Sequence, residues 1–276
     1  MGNRRSAIAT PARLTVAACQ FPVGPDVRRN GAAIRRQMRA AARRGAEVVQ
    51  FPEAALSGYA GAQFDTFDGY PWKTLADETA RIRGLAAELG VWVVLGSAHP
   101  RRSGKPFNSL YLIDPAGRIA KRYDKCVLMP RDRLHYSPGR RLVTHTLGGI
   151  KCGFLICFDF RFPELWRDYL ARGCRLIFVS SYLASPRRRR LMETVAPALL
   201  TARAAESFLH VAASNTCGER PWCSARVLRP DGSVARRAPE GRAAVVVHTV
   251  DLADDSTLYN PIGPLALAAA RGARHS

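Results

Sequence analysis

The feature that most limits what this chain can fold into is its alternation of strand-length apolar runs with amphipathic stretches at helical spacing. Leu14–Cys19, Glu47–Phe51, Val91–Ser97, Asn108–Ile113, Ile119–Tyr123, Lys151–Cys157, Leu176–Ser180 and Leu209–Ser214 read as strands. Asp26–Arg44, Pro71–Leu89, Pro163–Arg172 and Leu191–Ser207 read as helices; the second places Leu75, Ile82, Leu85, Ala86 and Leu89 on one face. The last third is β-rich, with strands expected at Ser224–Leu228, Val234–Arg236 and Ala244–Val250 around a turn at Pro230-Asp231-Gly232. Such alternation, with hairpins interspersed, predicts an α/β fold in which helices cover sheet faces. No repeat, low-complexity tract or linker interrupts it, so one domain is expected over 13–252. A flexible start at 1–12 and a C-terminal arm or tail at 253–276 would flank it.

Composition removes several function classes. No apolar run approaches the length of a membrane span, and no sustained apolar segment follows Met1, so a cytoplasmic protein is expected. The seven cysteines are odd in number, lie mostly in apolar stretches and include no C-x-x-C pair. Neither a disulfide framework nor a metal site is therefore expected. The formal net charge of +20 raises the question of a polyanionic partner. Arginine is spread along the whole chain, only Arg187–Arg190 forms a block, and no nucleic-acid-recognition motif accompanies it. Nucleic acid is therefore not expected as a partner.

Three segments carry residues suited to chemistry. Val48-Val-Gln-Phe-Pro-Glu53 is an apolar strand ending in a carboxylate, the position where α/β proteins place active-site groups and where a general base can stand. Lys125, one of five lysines in an arginine-rich chain, precedes an apolar run and can supply a fixed charge for an oxyanion. Cys157 closes the apolar run Cys152-Gly-Phe-Leu-Ile-Cys157, just before a helix opened by Pro163. A cysteine there resembles a nucleophile elbow, with helix-terminal N–H groups expected to lower its pKa. Taken singly, each also fits an exposed loop carboxylate, a surface lysine or a buried structural thiol.

Together and in order, FPEAALSGY around Glu53, YDKCVLMP around Lys125 and GFLICFDFRFPELWRDYLARG around Cys157 resemble the nitrilase superfamily of carbon–nitrogen hydrolases. TVAACQF, Asn108-Ser-Leu-Tyr, DPAGRIAKRYDK, Pro138-Gly139, RAAES and SARVLRPDGSV extend the resemblance over roughly residues 13 to 252. The resemblance implies a four-layer α-β-β-α sandwich with Glu53, Lys125 and Cys157 as catalytic residues and no cofactor. It also implies an oxyanion held by Lys125 and the Phe158 backbone N–H, and a homodimer or larger homo-oligomer formed through Pro163–Arg172 and Leu191–Ser207. The implied reaction is hydrolysis of a small linear amide, of ω-amide or N-carbamoyl type, through a cysteine acyl-enzyme. The same triad also serves acyl transfer, and a non-catalytic binding role is the alternative of a different class. Nitrile cleavage is disfavoured because Phe158 stands where nitrile-cleaving relatives tend to carry tryptophan.

The chain departs from the family pattern at Asp132, where many relatives have a second glutamate. It keeps the charge but is one methylene shorter, so it is not expected to reach Lys125 or the substrate in the same way as glutamate. Ala196-Pro197, where relatives often have an aromatic residue, is a second departure. Arg161 can pair with a substrate carboxylate or, as the favoured expectation, with Glu164 or Asp159. Tyr59, Phe64, His135, Phe162 and Tyr182 are further candidates to line a pocket.

Overall fold

The computed structural model describes residues 12–253, 268–269 and 271–272. The expected flexible start and C-terminal arm lie almost wholly outside them. In chain order the first half runs β1 (Arg13–Gln20), α1 (Val27–Ala42), β2 (Val48–Gln50), α2 (Trp72–Leu89), β3 (Trp92–His99), β4 (Phe107–Ile113) and β5 (Ile119–Asp124). The second half runs α3 (Asp132–His135), β6 (Thr144–Leu147), β7 (Ile150–Ile156), α4 (Pro163–Ala171), β8 (Leu176–Ser181), β9 (Ala184–Ser185), α5 (Arg190–Ser207), β10 (His210–Asn215), β11 (Arg220–Pro221), β12 (Arg226–Leu228), β13 (Val234–Arg237) and β14 (Ala244–Asp251).

Two six-stranded sheets result, ordered β14-β1-β2-β3-β4-β5 and β13-β12-β10-β8-β7-β6. Each has a parallel centre, β1-β2-β3 in one and β7-β8-β10 in the other, flanked by antiparallel strands. The alternation of side chains along β1 shows why four layers form. Leu14, Val16 and Ala18 point into a cluster shared with Phe154, Ile156 and Val179 of the second sheet. Ala17 and Cys19 point the other way, against Ile34 and Met38 of α1 and Leu75 and Ile82 of α2. Strands buried on both faces read as unbroken apolar runs, which is the pattern seen in the sequence. On the far side of the second sheet, Trp166 and Tyr169 of α4 and Leu200 and Ala204 of α5 close the fourth layer. Among the described residues no helix is long and apolar enough to cross a membrane.

Local chemistry sets the helix ends. The Asp26 carboxylate accepts from the Arg28 and Arg29 N–H groups at 2.8 and 3.1 Å and caps α1. Pro163 opens α4 at the first turn, and Gly90, left-handed at φ 65°, ends α2. The expected strand Lys151–Cys157 stops one residue early. Cys157 leaves the ladder at φ 45° and begins a 3₁₀ turn, Cys157–Arg161. β6, the short β9 and β11 and the four-residue α3 were not expected, because polar segments of two to four residues carry no periodic signal.

Two glycines let the functional loops approach the sheets. A Cβ on Gly96 in β3 would overlap the Pro52 carbonyl beside Glu53, and one on Gly139 would overlap the Asp124 carbonyl beside Lys125. Gly96→Ala is expected to cost about 1–3 kcal/mol by overpacking and to lower amide turnover by displacing Glu53. Gly84→Ala, on α2 with nothing within 4 Å of the added methyl, should stabilise by about 1 kcal/mol through helix propensity. Thermal melts of the two variants check the contrast.

Candidate functional site

The carboxyl ends of strands from both sheets converge. Glu53 follows β2, Lys125 follows β5, Cys157 follows β7 and Tyr182 follows β8. All four are buried: Glu53 and Lys125 at 0% exposure, Cys157 at 5% and Tyr182 at 7%. The Lys125 ammonium donates to Glu53 Oε1 at 2.8 Å and to Asp132 Oδ2 at 2.7 Å. Asp132, the possible second acidic residue, therefore meets Lys125 despite being one methylene shorter than glutamate. The turn after Met129, closed by the Arg133 N–H donating to the Met129 carbonyl at 3.2 Å, brings α3 in, and the Met129 N–H donates to Asp132 Oδ2 at 3.2 Å. The second Asp132 oxygen accepts from the Tyr59 hydroxyl, and the Tyr59 ring lies 5.8 Å from the ammonium.

Glu53 is held from three sides. Besides Lys125, Asn108 Nδ2 donates to its Oε1 at 2.7 Å and the Tyr182 backbone N–H donates to its Oε2 at 3.0 Å. Cys157 stands at the same junction, its thiol under the influence of the Glu53 carboxylate, the Lys125 ammonium and the Tyr182 backbone. Burial, followed by the Glu53 charge, pushes the Cys157 thiol well above its ordinary value, against an opposing pull from Lys125. The expectation that helix-terminal N–H groups would lower it is corrected: a neutral thiol is the favoured resting form. Burial on its own would lower the Lys125 ammonium, but Glu53, Tyr59, Cys157 and Asp132 together outweigh it and raise its pKa well above the usual lysine value. The ammonium therefore remains charged.

A further carboxylate joins the two loops. Asp159, fully buried, accepts from the Val127 N–H at 2.7 Å, the Tyr123 hydroxyl at 2.8 Å and the Ile156 N–H at 3.0 Å. It thereby ties the strand end before Cys157 to both flanks of Lys125. These contacts occupy Asp159, and among the described residues Arg161 forms no ion pair with it or with Glu164, so the favoured expectation for Arg161 is corrected. Its guanidinium lies 5.9 Å from the Phe158 ring centre instead.

A cavity of about 630 Å3 opens onto Cys157. Tyr59, Phe158, Arg161 and Tyr182 line it, whereas Phe64, His135 and Phe162 do not. Phe64 packs instead with Phe67 and Tyr70 in an aromatic cluster behind Tyr59. Sequence reading met Asn108 only as part of a family landmark and Asp159 only as a possible partner of Arg161, and gave neither a place beside Glu53 or Lys125. A buried asparagine inside the apolar strand Phe107–Ile113, and an aspartate two residues past a candidate nucleophile, were the available signals.

Two consequences can be measured. Asp132→Glu adds a methylene where Asp132 is 3% exposed and already contacts Lys125 and Tyr59. It should lower kcat and cost about 1–3 kcal/mol rather than improve the enzyme, as activity assays and melts would show. Burial raises Asp159 from 3.8 to about 6, so folding favours its protonated form. Its contribution to stability is complete below 3.8 and is lost as pH rises through about 6. Denaturant unfolding should therefore show wild type exceeding Asp159→Asn by a wider margin near about pH 4.5 than near about pH 7.5.

Comparison with known proteins follows the same lines. The carbon-nitrogen hydrolase family model matches residues 15–257. The 2-oxoglutaramate amidase of Bacillus subtilis (strain 168) is 33% identical over 183 residues, which is 64% of this chain and 66% of that relative. The omega-amidase NIT2 of Homo sapiens is 29% identical over 233 residues, covering 78% and 80% of the two chains. Among solved structures, an amidase mutant from Nesterenkonia sp. AN1, with the acetamide moiety of fluoroacetamide added covalently at its active site cysteine, superposes with a TM-score of 0.81. It is 23% identical and 98% of each chain is covered, which shows the shared fold.

Proposed function

This chain belongs to the carbon–nitrogen hydrolase family, and on that premise we propose that it hydrolyses a small linear amide bearing a carboxylate, with Cys157 as nucleophile. The observation that carries the reading is the buried Glu53–Lys125–Asp132 group set beside Cys157 at the floor of an open cavity. The names of the relatives, 2-oxoglutaramate amidase and omega-amidase, favour an amide whose other end is acidic. Arg161, half-buried at the cavity wall without a carboxylate partner among the described residues, supplies the matching fork.

Each step uses groups already in position. Glu53 accepts the thiol proton as Cys157 Sγ attacks the amide carbon, so that a neutral thiol becomes a nucleophile only in the transition state. The carbonyl oxygen becomes an oxyanion, stabilised by the Lys125 ammonium and the Phe158 backbone N–H at the start of the 3₁₀ turn. Collapse breaks the C–N bond, Glu53 returns its proton to the departing nitrogen, and ammonia leaves behind a thioester on Cys157. Glu53 then takes a proton from water, hydroxide adds to the thioester, and the carboxylic acid departs as the thiol reforms. Asp132 keeps Lys125 charged and aimed, and Tyr59 holds Asp132. Interception of the same thioester by an amine in place of water would give acyl transfer.

The left-handed backbone at Cys157 (φ 45°) and at Ala54 (φ 53°), next to Glu53, fits this use. Strained non-glycine residues persist where the surrounding structure holds them, and active sites collect them. The seven cysteines are all free, which supports a reducing compartment such as the cytoplasm. Assembly through α4 and α5 into a homodimer or larger oligomer is part of the proposal. Leu191, 74% exposed at the start of α5, is an apolar side chain suited to such a contact.

Ammonia release from ω-amides, N-carbamoyl amino acids, simple amides and nitriles tests the reading. Turnover of a carboxylate-bearing amide is expected, with Cys157→Ala losing at least about 10⁴-fold. Lys125→Met should lose about 10²–10³-fold in kcat, as removal of an oxyanion donor does elsewhere. Turnover unchanged in Cys157→Ala would remove the thioester route.

A further inference from the structure

Arg187–Arg190 is the only basic block in the sequence, and the amide chemistry at Cys157 gives it no role. The structure sets it at the mouth of the catalytic cavity. Residues 186–189 precede α5 in non-helical conformation, with Arg189 at φ −126° and ψ 75°. Arg187 and Arg189 line the cavity, whereas Arg188 turns away and pairs with Glu193 at 3.2 Å. Ser185, 7% exposed on β9, anchors the stretch by accepting from the Arg187 N–H at 3.3 Å and from Arg189 Nε at 3.4 Å.

Arginine is common all over this surface, so a count of guanidinium groups proves nothing. What distinguishes the cavity is the balance of charge inside it. Arg131, Arg161, Arg187 and Arg189 line it, and among the described residues none forms an ion pair with a carboxylate. Glu219 is the one carboxylate on the outer wall. The inner group of Lys125, Glu53 and Asp132 sums to a single negative charge. The cavity therefore keeps an excess of two positive charges, which a doubly negative occupant neutralises. A cleft with low-dielectric walls and one sign of charge concentrates ligands of the opposite sign. Guanidinium forks reward carboxylate oxygens in particular.

We infer that Arg187 and Arg189 form an outer anion subsite and that the substrate is an amide carrying two carboxylates, one met by Arg161 near Cys157 and the other at the cavity mouth. The inference rests on the amide-hydrolase reading and narrows its substrate class.

A matched pair of amides tests it: glutaramate, with one carboxylate, and 3-carboxyglutaramate, which differs only by a second. The wild-type enzyme should prefer the second substrate by about tenfold or more in kcat/KM, the worth of a charge-assisted hydrogen bond. The preference should weaken as salt is raised. Arg187→Gln/Arg189→Gln should raise KM for 3-carboxyglutaramate about tenfold with little change in its kcat, and bring the ratio of the two kcat/KM values towards one. Equal turnover of the pair by wild type, or a preference that survives the double substitution, would overturn the inference. Calorimetry on full-length Cys157→Ala with propane-1,2,3-tricarboxylate and glutarate reads the subsite without turnover. Tighter binding of the tricarboxylate, lost on substituting both arginines, supports the subsite even if no amide is cleaved. Equal binding contradicts it. Cys157-dependent hydrolysis of glutaramate alone would leave the hydrolase reading standing and the subsite rejected.

Discussion

Everything at the site depends on one ammonium group placed out of reach of water between two carboxylates. Lys125 is wholly buried, and its charge is tolerable only because Glu53 and Asp132 accept from it at 2.8 and 2.7 Å. A buried ion group is weak as a source of stability, since desolvation offsets most of the Coulomb attraction. It is strong as a constraint on geometry, because removing one member strands the others. Neighbouring features serve that constraint. Asn108 and the Tyr182 N–H complete the coordination of Glu53, Tyr59 completes that of Asp132, and Asp159 fixes the Lys125 loop against the strand end that presents Cys157. The two sheets bring these groups together because each has a parallel centre whose strands end at the same side of the sandwich.

The same arrangement explains why a cysteine with a raised pKa suits this chemistry. A preformed thiolate would need a cation that outweighs the nearby carboxylate. Here burial and Glu53 keep the proton on sulfur, while Lys125 remains charged for the oxyanion. On the proposed mechanism, Glu53 moves protons in both directions during acylation and hydrolysis. The arginines at the cavity mouth stand apart from that group, and in the proposed reading they act on the substrate's distal end and not on the reacting carbon.

Much of this was legible in the sequence, and the parts that were not have physical reasons. Long periodic elements such as Val27–Ala42, Trp72–Leu89 and Leu176–Ser181 were readable because burial on one or both faces writes itself into apolar spacing. The meeting of Glu53, Lys125 and Cys157 came from their three motifs together, since each segment alone fits a structural role. The partner of Arg161 was misjudged and the reach of Asp132 to Lys125 was left open, because side-chain reach through a loop depends on where that loop turns. Alpha-carbon spacing in sequence holds no record of α3 bringing Asp132 to Lys125, nor of Asp159 being fully engaged by Tyr123, Val127 and Ile156. The left-handed Cys157 backbone was likewise invisible, as a non-glycine residue gives no local warning of it.

The most direct test of the account compares two rates in wild type and Glu53→Gln: amide hydrolysis, and alkylation of the Cys157 thiol by iodoacetamide followed on its own peptide by mass. If the Glu53 charge holds the proton on sulfur and Glu53 is also the catalytic base, the substitution lowers the thiol pKa. Alkylation near neutral pH then speeds up while hydrolysis collapses. Alkylation and hydrolysis falling together, or hydrolysis persisting without the carboxylate, would contradict it.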